Sequence, residues 1–475
     1  MKKVVNFSLL KKVFCLFMAV IMVFAIAGCG GGASSSETEQ LGGGEYDVIG
    51  KSDKEPTLEE LKAELNLPDV KITGDKVKYL CWLSPEGLSD PKEEIYHINM
   101  IMKKYYNCEL EYITTTYEQL PVKAAQLVLS GESPDMIFYK SADNPGFVYN
   151  KIVQPINDHV DINSKYYDDV RDTMNDLAYD GKVYFTNGGV IANNGVVAYN
   201  KQMFEDIGEK TPLELYREGK WTWSKFRELA NKLTVDDNGD GTPEVYGASI
   251  SFLYIYTSCG EDFIKFAEDG TVSNNMKSAN IGKMMNFMHN LGKAGDNVNL
   301  KTSATSLLDG TVAMDWCERY ELDNLSKGYE NGNIDFAPSP KMDGSSTYYV
   351  PGRIEVDWLA AGAKNPGGAI ACALSSGILQ KSAYYKPLYE ELRYKVIGYS
   401  EEQKQLLEEL QDFSIFTPIP SRMEGVGNWD SAGMWSMIDD VSAWGVPWST
   451  CLETYYPTFQ SEVDRANELL ANSKK

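Results

Sequence analysis

The sequence predicts an α/β fold with a doubly wound parallel sheet, in a body large enough for two domains. Three observations predict it. Between residues 76 and 139, three strand-like apolar runs alternate with two helical patterns over short loops, an order that implies a parallel sheet. The chain has 475 residues, of which roughly 400 remain after the N-terminal segments, more than a single core usually holds. The first 28 residues have a pattern of their own and stay outside that body.

That N-terminal pattern is an export signal. Lys2, Lys3, Lys11 and Lys12 precede an uncharged, largely apolar run from Val13 to Ala27, a basic region followed by a hydrophobic one. About 15 apolar residues are short for a bilayer span. The run ends Ile26-Ala27-Gly28-Cys29, and small residues before a cysteine resemble the bacterial lipobox, which implies lipidation at Cys29. An ordinary signal peptide or a short anchor is the alternative. Gly30-Gly31-Gly32-Ala33-Ser34-Ser35-Ser36 then reads as flexible tether, extending with one short helix at Leu58–Leu65 to about residue 74. The four signal lysines leave 41 basic residues against 68 acidic ones, a net charge of −27. Such a body repels nucleic acid and anionic lipid. The membrane is therefore a partner through the lipid only. Past the signal and Cys29, six cysteines remain (Cys81, Cys108, Cys259, Cys317, Cys372, Cys451), with no Cys-x-x-Cys pair and no zinc spacing.

Along the body, Lys76–Trp82 reads as a buried strand. Glu93–Tyr106 reads as a helix with Ile95, Ile98, Met102 and Tyr105 on one side. Cys108–Thr114 is a second strand, Tyr117–Ser130 a second helix and Pro134–Tyr139 a third strand. Ligands in such sheets bind beyond the carboxyl ends of the strands. Gly181–Phe185 and Gly195–Lys201 read as strands, Lys201–Ile207 and Trp221–Leu233 as helices, the latter with Thr222 or Ser224 placed to cap it. Leu308–Trp316 gives a turn and a short strand, and Ile334–Pro338 another strand. The last hundred residues read as mainly helical. His97 and His159 are expected in solvated positions.

Five segments in this order carry a resemblance: Gly131–Ile137, Ala198–Phe204, Thr222–Phe226, Asp309–Met314 and Lys364–Ala369. Together, after a lipobox, they resemble the landmarks of family 1 extracellular solute-binding proteins, the sugar-capturing lipoproteins of ABC importers. The resemblance covers roughly residues 76–470. It implies a two-lobed, periplasmic-binding-protein-like fold of type II style, two discontinuous α/β lobes with a hinge and a cleft between them. Lobe one is expected from 75–192 plus 310–360, lobe two from 193–309 plus 361–475. It further implies a monomeric receptor whose partners are a small-molecule ligand, a sugar in the first instance, and ABC permease subunits.

The stretch Thr234–Gly247 looks like a calcium loop. Calcium takes six to eight oxygens, and a tight turn brings short carboxylates together. With Asp236 at position one, Asn238 is three, Asp240 five, Gly241 the turn glycine, Thr242 seven (through its carbonyl) and Glu244 nine. Position twelve, where an EF-hand has a bidentate glutamate, is Gly247. A structural calcium site is expected, against an ordinary Asp/Asn/Gly turn.

Sugars offer an apolar C–H face for aromatic stacking and hydroxyls for carboxylates, amides and arginine. Placement picks out Trp82, Tyr117, Tyr139 and Asp143 after the first three strands. The resemblance adds Trp316 and Glu318, directly after Ala313-Met314 in a loop that reaches ligand in that family. It also adds Trp435, Trp444 and Trp448 in the late segment, part of which lines lobe two there. Arg353 and Glu355, before the last landmark, are candidates to hydrogen-bond hydroxyls. Core packing is the competing role for each aromatic. No catalytic residue is expected. Nucleophile-elbow, Walker and Rossmann patterns are absent, and no motif singles out a carboxylate pair for glycoside hydrolysis. The expected function is capture of a carbohydrate, with a peptide or polyamine receptor, a surface glycosidase or a sensor as rivals.

Overall fold

The computed structural model describes residues 45–473, apart from Asp53, Glu118, 140–144, 180, 189, 194, 251–254, 268–269, 293–297, 300–303 and 421–432. The signal segment and Cys29 lie outside the described residues. The strands are β1 (Lys76–Cys81), β2 (Glu109–Thr114), β3 (Met136–Tyr139), β4 (Val190–Asn193), β5 (Gly195–Asn200), β6 (Ala248–Ile250), β7 (Ile264–Phe266) and β8 (Val272–Asn274). They continue with β9 (Val298–Asn299), β10 (Met314–Glu318), β11 (Ile334–Pro338), β12 (Tyr348–Leu359) and β13 (Phe416–Pro420). The longer helices are α1 (Leu58–Leu65), α2 (Glu94–Tyr106), α3 (Leu120–Leu129), α4 (Trp223–Leu233) and α5 (Ala279–Leu291). After them come α6 (Pro366–Lys381), α7 (Tyr385–Ile397), α8 (Glu401–Glu409), α9 (Met434–Ser442) and α10 (Trp448–Ser473).

β1 is parallel to β2, with Lys76 opposite Glu109 and Cys81 opposite Thr114, and parallel to β3 through Tyr79–Met136 and Leu80–Ile137. The first sheet runs β13-β12-β3-β1-β2, with β4 also on β12; the second runs β11-β5-β10-β6-β9. The parallel order expected for 76–139 is present, but the sheets are mixed. β12 is antiparallel to β3, and β10 is parallel to β6 yet antiparallel to β5. Gly181–Phe185 is not a strand. It makes only single bridges, Lys182 to Tyr179 and Phe185 to Trp358. Its alternating apolar pattern comes from a loop that buries Val183 and Phe185 in the core.

Two landmarks of the sequence meet at one residue. Asn365 caps α6, and its side-chain oxygen accepts from the backbone N–H of Gly368 (3.1 Å) and Thr73 (3.0 Å). Its amide nitrogen donates to the carbonyls of Gly74 (2.9 Å) and Lys76 (3.0 Å). Its own N–H donates to Asp135 Oδ1 at 2.7 Å, while Asp135 Oδ2 accepts from Lys78 at 2.8 Å. Thr222, as expected, caps α4 by accepting from Lys225 N–H, while the Ser224 hydroxyl donates to Asp343.

Two hydrophobic cores form, and they define two lobes. One gathers residues 48–185 with 356–392; the other gathers 196–350 with 397–466. Among the described residues the chain crosses between them three times: between Phe185 and Val196, along β12 between Val350 and Val356, and along α7 between Leu392 and Ile397. This corrects the expected division. Residues 310–350 belong with the second core because β10 and β11 flank β5. Residues 361–392 belong with the first, because α6 packs on it through Ala369, Ile370 and Leu374.

The expected tether is also corrected, from residue 45 onward. Val48, Ile49, Leu61 and Leu67 are buried in the first core, each contributing roughly 1.5–3 kcal/mol by leaving water. α1 starts in a capping box between Thr57 and Glu60. Partly buried Tyr46, Leu58, Leu65, Val70 and Ile72 pack against the same core, so apolar residues scattered through a polar stretch dock it together.

Candidate ligand cleft

The crossing strands decide where a ligand could meet both lobes. Val356 of β12 lies opposite Tyr139 of β3. The residues before 356 therefore leave the first sheet at the carboxyl edge of β1–β3. In the second sheet Glu318 of β10 lies opposite Gly195 of β5. The carboxyl end of β10 is thus beside the point where the chain enters the second core. Both carboxyl edges face the crossing, and the space between them is the candidate cleft.

On the first edge the structure brings Trp82 and Tyr117 together. Their rings meet edge to face at 4.9 Å, and Trp82 lies against Phe138 at 4.4 Å with a 31° tilt. Tyr79 continues the set against Phe138 and Tyr112 at 6.1 and 5.5 Å. Trp82 and Tyr117 are half-buried: held by neighbouring rings, yet with surface left for a ligand. Tyr139 ends β3, but its side chain is outside the described residues, as is Asp143.

On the second edge the sequence reading needs correction. Trp316 is 0% exposed. Its indole N–H donates to Ser339 Oγ at 3.0 Å and its ring meets Phe226 at 5.3 Å, so it is core. Glu318 is buried too and, together with Glu321, forms the capping box of the 3-10 turn that follows. The cause is strand length: β10 continues to Glu318, so the loop starts two residues later than the sequence suggests. The side chains that leave the strand are half-buried Arg319 and Tyr320, the latter 61% exposed. Tyr320, an exposed aromatic just past the strand end, joins the candidate residues of the second edge.

Arg353 and Glu355 lie on the crossing stretch of β12, opposite Ala192 and Val190 of β4. The Arg353 side chain is outside the described residues; Glu355 is half-buried and its carbonyl accepts from the Asn187 amide at 3.2 Å. Nearby, Arg393 of α7 pairs with Asp323 at 3.3 Å, and the Tyr399 hydroxyl donates to the same carboxylate at 2.9 Å. Burial, and then the positive Arg393, pull the Arg319 guanidinium below the usual arginine range. Of the late tryptophans, Trp448 is core, buried with its ring 6.3 Å from Phe263, whereas Trp444 is 66% exposed. Trp435 is in α9, with its side chain outside the described residues.

Two carboxylates inside the lobes make stability depend on pH. Burial raises Asp357 on β12 to about 6, opposed by the Tyr79 hydroxyl that it accepts at 2.6 Å. Burial raises Asp315 on β10 to about 7, opposed by its bond from the Ser249 hydroxyl. A raised carboxylate pKa means that the folded protein holds the proton longer than the unfolded chain. Its stabilisation is full below about pH 4 and is lost as pH rises through 6 to 7. Asp315→Asn is expected to flatten the melting temperature against pH between 4 and 7, relative to the parent chain. His97 is buried, not solvated, between the rings of Tyr96 (5.2 Å) and Tyr389 (5.6 Å), and burial pushes it below the usual histidine range.

The 234–247 loop is closed by a two-way backbone pair between Val235 and Val245. Asp236 accepts from the N–H groups of Gly239 and Gly241, Asn238 from Asp240, and Asp240 from Thr242. Glu244 accepts from the Asp237 N–H and the Asn238 amide. These are hard oxygen donors suited to calcium in kind. In this arrangement they bond the loop's own donors, and among the described residues no three acidic, histidine or cysteine side chains converge as a metal group. Gly247 has a reason of its own: a Cβ there would lie 1.7 Å from the Ala230 carbonyl oxygen. The six cysteines of the body are all buried free thiols. Among the described residues, no helix is long and apolar enough to cross a membrane.

Comparison with known proteins matches this architecture. No curated protein sequence matches the chain. Among solved structures, the substrate-binding protein Lmo0181 from Listeria monocytogenes, in complex with cycloalternan, is similar at TM-score 0.57 and 14% identity, over 83% of this chain and 99% of that one. The maltose/maltodextrin-binding domain MalE from Bdellovibrio bacteriovorus, bound to maltotriose, gives 0.52 and 18% over 84% and 99%. The GacH receptor of Streptomyces glaucescens, solved with acarbose, gives 0.54 and 15% over 83% and 98%. At these identities the likeness establishes the two-lobed fold. The family model described as bacterial extracellular solute-binding protein matches residues 98–364, more than half the chain, and with the two lobes and crossing strands in place the chain belongs to that family.

Proposed function

We propose that this receptor captures a carbohydrate, an oligosaccharide rather than a single sugar, and presents it to an ABC permease. One observation carries the reading: the half-buried ring pair Trp82–Tyr117, held at the carboxyl edge of the first sheet where the crossing strands leave it. Such rings suit the C–H face of a sugar, and a cleft between two lobes suits a ligand several rings long. Neighbours that bind cycloalternan and maltotriose support it. Ligand bridging the lobes stabilises the closed form, and no covalent step is needed. In this reading Cys29 carries the lipid that holds the receptor outside the cytoplasmic membrane, and the receptor acts as a monomer.

The test is thermal shift of the mature chain against a glycan panel, followed by product analysis. A shift of several degrees with one oligosaccharide class and no released product is the expected result. Product release would replace the receptor with a glycosidase. A shift with peptides or polyamines alone would move the ligand class. The second reading concerns calcium in the 236–244 loop, favoured by its donor chemistry and its closure by the Val235–Val245 pair. Asp240→Ala is expected to lower the melting temperature in millimolar calcium and to leave it unchanged in chelator. Equal melting in calcium would return the loop to an ordinary turn.

A further inference from the structure

We propose that residues 45–57 form a strap that fastens the crossing helix α7 to the first lobe, so that the third crossing bends at Gly398 and not along the helix. The inference needs the two lobes but not the identity of the ligand. α7 begins in the first core at Tyr385 and ends in the second at Ile397. The strap holds its start through buried contacts and touches its end through a surface ion pair, Lys395–Glu45, with side chains 61% and 64% exposed. Glu55 accepts the Tyr385 hydroxyl at 2.5 Å and pairs with Lys104 of α2 at 2.5 Å. Ten residues along the helix, about 15 Å away, Lys395 pairs with Glu45 at 2.9 Å. Between these points the strap is nailed to the first lobe. Val48 and Ile49 are buried, Tyr96 donates to Asp47 at 2.6 Å, and Lys92 lies over the Tyr46 ring at 5.4 Å. The Tyr105 hydroxyl reaches the Pro56 carbonyl at 2.7 Å and the Tyr385 hydroxyl at 2.6 Å. Strap, α2 and the start of α7 are thus one hydrogen-bonded block.

The far end is built differently. Gly398 caps α7 at φ +85°, its N–H donating to Tyr394 at 2.8 Å, a conformation natural to glycine. From the second lobe, Asp323 grips Arg393, with both side chains 37% exposed. When the lobes move, the solvated pairs Arg393–Asp323 and Lys395–Glu45 are the contacts that yield, and the buried part of the strap, from Val48 and Ile49 to the Glu55–Tyr385 bond, is the one that stays.

Hydrogen exchange on the ligand-free mature chain tests this. In Val48→Asp/Ile49→Asp, amides 394–400 are expected to exchange about ten-fold faster, with β1 unchanged, because the strap no longer immobilises the helix. If 47–56 lose protection and 394–400 keep theirs, the strap is a passive appendage and the proposal fails. Should that variant not fold, Tyr385→Phe decides. It keeps the buried strap residues and removes only the hydroxyl that joins them to α7. About three-fold faster exchange at 394–400 supports the strap, and unchanged exchange there overturns it.

Discussion

Asn365→Ala is expected to lower the free energy of unfolding by about 3 kcal/mol, read from a denaturant titration. The alanine removes the cap of α6, a loss of roughly 0.5–2 kcal/mol by itself. It also strands the carbonyls of Gly74 and Lys76 and the N–H of Thr73 in a part-buried site, where an unmade bond costs about 1–3 kcal/mol before water re-enters. Asn365→Asp is the sharper probe. Aspartate can still cap the helix, but it cannot donate to the two carbonyls. It also faces Asp135, whose Oδ1 already accepts the residue-365 N–H. Above pH 5 it is expected to be no better than alanine. Near-parent stability of the aspartate variant would mean that the cap alone matters.

Trp82→Ala is expected to weaken binding of the selected glycan about 100-fold, close to 2.7 kcal/mol, read by titration calorimetry. The ring is placed between Phe138 and Tyr117, so its loss removes the stacking surface and also frees Tyr117. Trp82→Phe keeps a face and is expected to recover about ten-fold of that loss. A control comes from Trp316→Phe. With Trp316 fully buried, this change is expected to lower stability and leave affinity within about two-fold. Equal loss of affinity in Trp316→Phe and Trp82→Ala would shift the ligand to the second lobe's interior edge.

Local signals in the sequence carried far. β1, α2 and β2 fall where periodicity placed them, because each has one buried face or a buried centre. The landmarks around Asp135 and Asn365 are legible as motifs, and the structure supplies their reason in the shared hydrogen bonds. What failed were properties set by distant partners. β10 is buried at all five positions, so no alternation marked where it ends, and Trp316 passed for a loop residue. The lobe division depends on which strand lies beside β5, and nothing local encodes that. The docking of residues 45–74 rests on apolar side chains spread singly through a polar stretch and on bonds to distant residues such as Asn365 and Tyr105, neither of which is marked by local composition.

The entry of the chain beside α7 has a mechanical consequence. Glu45, at the start of the described residues, pairs with Lys395 near the end of the crossing helix. That places the entry of the described chain beside the third crossing between the two cores. A pull applied at Glu45 would act close to the segment that joins the cores, with a short lever arm on either lobe. If Cys29 carries the lipid as proposed above, opening and closing of the lobes would displace the attachment point little.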